Sequence, residues 1–156
     1  MMRKIKWNRM FCAVLACTAL AGCGKELTLV PADAVTGLQS ELTFTDEMTE
    51  KDKAGTCTFY DVDETLVSEA AALVGSGATA ESLSVWKAES ADAATEIKQD
   101  LQTFQTGWID GYSDYMPEEV PKLESAVLEQ QGVYVVFCVT SDNDGAQDAV
   151  RKLLGQ

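Results

Sequence analysis

The chain has 156 residues, 25 Asp and Glu against 12 Lys and Arg, no histidine and a net charge of −13 at neutral pH. So acidic a balance argues against a nucleic-acid partner, because phosphate backbones are held by clustered Lys and Arg. The missing imidazole removes the usual general base near neutral pH, the Ser–His and Cys–His nucleophile pairs and every His-containing metal site.

The chain opens with Arg3, Lys4, Lys6 and Arg9 and no acid, and an apolar run follows from Met10 to Leu20. A basic start, a short apolar middle and a small-residue exit are the three parts of a secretory signal. Eleven helical residues rise only about 16 Å against a bilayer core of about 30 Å, too short for a permanent span. The exit, Leu20-Ala21-Gly22-Cys23-Gly24, resembles the lipobox of lipoprotein signal peptidase. That resemblance implies cleavage between Gly22 and Cys23 and lipidation of Cys23, with the lipid bilayer as partner on the extracytoplasmic face of the cell membrane. One acyl chain holds a protein only marginally, whereas two or more give stable anchoring. Loss of residues 1–22 removes four basic residues and no acid, which leaves eight Lys and Arg against 25 acids, a net charge of −17 over 134 residues. A domain so charged should stand off an anionic membrane rather than lie on it. The expected layout is a signal peptide over 1–22, a lipidated cysteine and tether over 23–30, and one acidic domain over 31–156, a usual domain length.

Pro31 opens a helical stretch in which Val35, Leu38 and Leu42 fall on one face. Residues 43–58 are polar and mixed, and are expected as loop with one short strand. Strand candidates at 68–75 and 81–88 flank Gly75-Ser76-Gly77-Ala78, a turn signal. A long helix follows over about 92–115, with Leu101, Phe104, Trp108, Tyr112 and Tyr115 as a stripe that should cover a sheet. Gly107 and Gly111 within it predict either close packing on the sheet or a break near Gly107. Strands at 122–129 and 133–140 then flank Gln130-Gln131-Gly132, and the second, Val-Tyr-Val-Val-Phe-Cys-Val-Thr, should be central. A last helix spans about 144–154. The order ββα then ββα, with helix starts near Asp92 and Asp144 at an offset of 52, suggests an internal pseudo-repeat. The predicted fold is α+β: two ββα units in a four-stranded, mainly antiparallel sheet with helices on one face.

Chemistry is sparse. Arg151 is the single arginine beyond the leader, and no Gly-rich phosphate loop or C-x-x-C pair is present. Cys57 and Cys138 are the two cysteines left after Cys23, and the sequence leaves open whether they pair or stay as buried thiols. Asp61-Val62-Asp63-Glu64-Thr65 resembles the first motif of haloacid dehalogenase-type phosphatases. That likeness would make Asp61 the nucleophile and Asp63 the acid/base, with Asp142 and Asp144 helping to hold Mg²⁺. It requires a buried parallel strand before Asp61, and Thr56-Cys57-Thr58-Phe59-Tyr60 is short and half polar for one. The competing reading is that Asp61 or Asp63 caps a turn containing Glu64. Ser141-Asp142-Asn143-Asp144-Gly145 has the flavour of a calcium loop, but its Gly comes too early and the Glu at position twelve is missing, so a helix cap is the simpler reading.

From Val62 to Leu154 the chain resembles a family of small lipoproteins of Gram-positive bacteria catalogued as domain of unknown function 4358. The likeness is carried by Gly77-Ala78-Thr79-Ala80-Glu81-Ser82-Leu83-Ser84-Val85-Trp86-Lys87-Ala88, by Tyr115-Met116-Pro117-Glu118-Glu119-Val120-Pro121-Lys122-Leu123-Glu124, and by Gly132-Val133-Tyr134. A Gly-containing turn usually fills the place of Asp61-Val62-Asp63 in that family, which sets the phosphatase-like string apart as a feature of this member. The resemblance implies no activity, no cofactor and no catalytic residue. The expected function is a non-enzymatic, membrane-tethered domain that binds a protein or ligand of the cell envelope. The alternatives are a Mg²⁺-dependent phosphatase on Asp61 and Asp63, or weak divalent-cation binding by the turn from Asp142 to Asp148.

Overall fold

The computed structural model describes residues 27–156. Helix α1 (Pro31–Glu41) precedes a short strand β1 (Thr49–Lys51) and helix α2 (Lys53–Tyr60). After a 3₁₀ turn at Glu64–Leu66 come β2 (Val67–Val74), β3 (Ser82–Ala88) and the long helix α3 (Ala91–Tyr115). A 3₁₀ turn at Pro117–Glu119, helix α4 (Val120–Glu124), strands β4 (Val127–Gln131) and β5 (Tyr134–Val139), and helix α5 (Asn143–Leu153) complete the chain. The five strands form one sheet in the order β1-β2-β3-β5-β4, antiparallel throughout. Among these residues no helix is long and apolar enough to cross a membrane.

The α+β class and the antiparallel sheet match the sequence reading, with two corrections. The sheet has five strands rather than four, because Thr49–Lys51 adds an edge along β2 through Thr49↔Val74 and Lys51↔Ala72. Helices lie on both faces rather than one. Cys57 and Tyr60 of α2, Ile97 and Leu101 of α3 and Leu123 of α4 pack on one face, and Val35 and Leu38 of α1 with Ala146 and Val150 of α5 pack on the other. The reason is in the strands. All six residues of β5 are buried, as are all but one of β3. A strand apolar on both sides of its pleat needs cover on both.

Three local readings also change. Residues 53–60 form α2 although Gly55, Thr56, Cys57, Thr58 and Phe59 are weak helix formers. Asp52 caps it, accepting from Gly55 N–H at 2.9 Å, and burial of Thr56, Cys57 and Tyr60 holds it. The expected strand at 122–129 is a helical turn up to Glu124 and a strand only from Val127, since Pro117 and Pro121 start helical turns more readily than they extend a ladder. Gly107 and Gly111 neither break α3 nor touch the sheet, for a Cβ at either would meet nothing within 4 Å.

The ββα order does recur as β2-β3-α3 and β4-β5-α5. Ser90 caps α3 and Asp142 caps α5, each accepting from the N–H three residues on, so the offset of 52 holds at the caps. The units are not copies, because α3 and α5 cover opposite faces.

Candidate functional site

Helix α2 ends on Tyr60, and Asp61 adopts a left-handed conformation with φ 55°, which Asp tolerates better than most residues. The N–H of Val62 then reaches back to the Cys57 carbonyl at 3.0 Å, a Schellman-type close that buries Val62 and leaves Asp61 exposed. Tyr60 is fully buried, its ring 5.6 Å from Trp86, 6.0 Å from Phe137 and 4.8 Å from Phe104. Phe104 and Trp108, one turn apart on α3, have ring centroids 4.5 Å apart, and Phe59 meets Trp108 edge-on at 5.5 Å. Between α2 and α3 the rings of Tyr60, Phe104 and Trp108 floor a cleft of about 340 Å³, with Asp61, Asp100, Thr103 and Gly107 around it.

The charge around the cleft has one sign. Burial, reinforced by the nearby carboxylates of Glu96, Asp61 and Asp63, pushes Asp100 above the ordinary carboxylate range. Asp63 moves the other way, because the backbone N–H and the hydroxyl of Thr65 both donate to it at 2.8 Å. Among the described residues the ion pairs are those of Lys53, Lys87, Lys122, Arg151 and Lys152, and none involves Asp61, Asp63, Glu96 or Asp100. The opposite face also has a groove, between α1 and α5, of about 340 Å³. There Lys152 spans to Glu41 at 3.7 Å, so that groove carries its own cation.

Of the residues singled out in the sequence, Gly22 and Cys23 lie outside the described residues. Asp61 closes α2, and Asp63 caps the 3₁₀ turn at Glu64–Leu66. The segment before Asp61 is helical and the sheet has no parallel pair, so the strand frame that the phosphatase motif requires is missing. Asp142 stands at the other end of the sheet, after β5, and accepts from Gly145 N–H at 3.0 Å as the cap of α5. Asp144 follows it, exposed, in the first turn. Among the described residues no group of three or more Cys, Asp or Glu side chains is placed to share a metal ion. Mg²⁺ chemistry on Asp61 therefore has no frame here. Cys57 and Cys138 are buried free thiols on opposite faces of the sheet and cannot meet. Burial raises both, Cys138 to about 12, so neither is a ready thiolate.

Two of the three strings that carry the family likeness, 77–88 and 115–124, meet at the end of the sheet where β2 turns into β3, while Gly132-Val133-Tyr134 lies at the other end. The Ala80 N–H donates to the Glu119 carboxylate at 2.9 Å, which also takes Lys122 at 2.8 Å, and the Tyr112 hydroxyl donates to the Thr79 carbonyl at 2.7 Å. Glu81, fully buried, accepts from the N–H groups of Thr45 and Asp46 and from the Thr45 hydroxyl. Asp46 in turn accepts from Ser76 N–H, Ser76 hydroxyl and Thr79 hydroxyl, and these bonds hold it below the usual carboxylate range. A Cβ at Gly75 would come within 2.6 Å of that Asp46 carboxylate. This network ties loop, turn and helix together.

The sequence hid the cleft because its second wall, α2, was not recognisable as a helix. The signal lay in α3: Asp100 precedes Phe104 by one turn and Gly107 adjoins Trp108, so the stripe is bordered by an acid and a gap.

Fold and cleft together define a small acidic α+β domain built on one antiparallel sheet. The family model described as "Domain of unknown function (DUF4358)" matches residues 40–140, more than half of the chain, and the protein belongs to that family. No curated protein and no solved structure matches it. The matched span holds all five strands, α2, α3, α4 and every residue of the cleft, while α5 lies outside it and α1 almost wholly so.

Proposed function

We propose that this protein is a non-catalytic, extracytoplasmic binding domain of a Gram-positive cell envelope, anchored in the membrane through a lipidated Cys23, and that the cleft between α2 and α3 receives its partner. The observation that carries the reading is a preformed aromatic cleft, within the family span, whose carboxylates form no ion pair among the described residues. Concave sites with an apolar floor and a few polar groups are where small ligands and side chains bind. The lipobox at Leu20-Ala21-Gly22-Cys23 supports the anchor. The Leu29 N–H donates to the Tyr134 hydroxyl at 3.0 Å, so the tether between Cys23 and that fixed point is at most about 20 Å of extended chain. Tyr134 pairs with Lys87, at the end of the sheet away from the Gly75 turn, so on this reading the Gly75 end points outward.

Two experiments test the proposal. Cys23→Ala should release the protein from the membrane fraction or leave it unprocessed, and mass spectrometry of the mature N-terminus should find an acylated cysteine; an acyl-free terminus refutes the anchor. A photoreactive residue at Gly107, where added atoms meet nothing, should give an adduct in intact cells. An adduct from Gly37 on α1 with none from Gly107 would move the site to the other groove.

A further inference from the structure

Resting on the reading that this cleft is the binding site, the geometry points to its ligand class: we infer that it takes an organic ammonium group, the cation lying against the faces of Phe104 and Trp108 and facing Asp100 and Asp61. Three observations converge. The floor is aromatic, and aromatic faces attract cations through the ring quadrupole, Trp most strongly. The rim holds two carboxylates on opposite walls, Asp61 at the close of α2 and Asp100 on α3, with Glu96 and Asp63 adding to the same field. Among the described residues no Lys or Arg pairs with these carboxylates, although one does so in the groove between α1 and α5, where Lys152 meets Glu41. An anionic ligand would add to the repulsion around Asp100. A neutral apolar one would leave that half-buried carboxylate with less water and nothing in exchange. An inorganic cation would lack the ligands, since no three carboxylates among the described residues share a point. An ammonium carrying methyl or methylene groups suits both parts, with its charge toward the acids and its carbons on the rings. At about 340 Å³ the cleft suits a small group rather than a folded surface.

The test uses the membrane-extracted protein in detergent micelles at fixed ionic strength. Choline is titrated beside its neutral isostere 3,3-dimethyl-1-butanol and beside potassium chloride, by calorimetry and by tryptophan fluorescence. Trp108 lines the cleft, Trp86 is fully buried and Trp7 leaves with the signal on this reading, so the optical change reports on Trp108. Choline should bind about tenfold or more tightly than the isostere. Asp100→Asn should weaken choline and leave the isostere unchanged. Gly107→Leu should abolish choline binding while keeping the melting temperature, because Leu suits an α-helix better than Gly and its Cβ meets nothing. Equal affinity for choline and the isostere overturns the cation and leaves the cleft as an apolar binding site. Equal response to potassium shows only an ion atmosphere on an acidic surface and overturns the proposal too. No response at tens of millimolar choline does the same, and the crosslink from Gly107 then decides separately whether the cleft binds anything.

Discussion

The two faces of the sheet are built from different side chains and end differently. On one, Leu38, Leu73, Leu83, Val136 and Val150 give an aliphatic layer roofed by α1 and α5, and in its groove Lys152 pairs with Glu41. On the other, rings dominate: Tyr60, Trp86 and Phe137 are fully buried, and Phe104 and Trp108 lean on them half-covered. A 25-residue helix rises about 37 Å, while strands of six to eight residues run about 20 to 26 Å. Helix α3 therefore overhangs the sheet, which is why Tyr115 at the end of its stripe is 60% exposed. The aliphatic face ends in a groove that carries its own cation. The aromatic face is a core with an opening, and the unpaired carboxylates stand at that opening.

Truncations in the two layers should separate them most sharply. Phe137→Ala should cost about 4 kcal/mol and Leu83→Ala about 3 kcal/mol in denaturant unfolding, since each empties a fully buried site. If Leu83→Ala proves the more damaging by a clear margin, the aliphatic layer is the principal core and the aromatic face is a secondary one. Glu81→Ala should cost about 2 kcal/mol, because it strands the N–H groups of Thr45 and Asp46. The same variant should speed hydrogen exchange in residues 43–47, ahead of either face; uniform protection loss would mean that the network belongs to the global core.

Smaller effects probe the opening. Asp100 sits above its unfolded-state value in the folded chain, so its charged form is the one the fold disfavours. Its cost is absent below the unfolded carboxylate range near about pH 4 and grows as pH rises through the folded value. Asp100→Asn should therefore raise the melting temperature at neutral pH and leave it unchanged at pH 3; a loss of stability at neutral pH would show a missing partner for Asp100 and close the comparison between the faces. Smallest of all is Tyr60→Phe. The Tyr60 hydroxyl lies beside those of Ser82 and Ser84, yet neither it nor the Ser82 hydroxyl has a hydrogen-bond partner of suitable geometry among the described residues. Removing it should change stability by less than about 1 kcal/mol in either direction. A loss well beyond that would reveal an ordered water bridging these hydroxyls.

The sequence by itself determined the elements whose pattern is local. Pro31 with Val35 and Leu38 marked α1, Gly75-Ser76-Gly77-Ala78 marked the turn between β2 and β3, and Val133 to Thr140 marked the strand that forms as Tyr134–Val139. The caps of α3 and α5 were legible to within two residues because a cap bonds within its own turn. Only the tertiary structure decided the rest. Helix α2 exists because Cys57 and Tyr60 find a sheet to lie on, and its residues alone would not choose a helix. The placement of α1 and α5 opposite α3 depends on a strand apolar on both sides, a fact that one dimension records as hydrophobicity and three dimensions resolve into two faces. The cleft belongs to this second class. Asp61 and Asp100 are 39 positions apart in the chain, and only the packing of α2 against α3 brings their charges around the same rings.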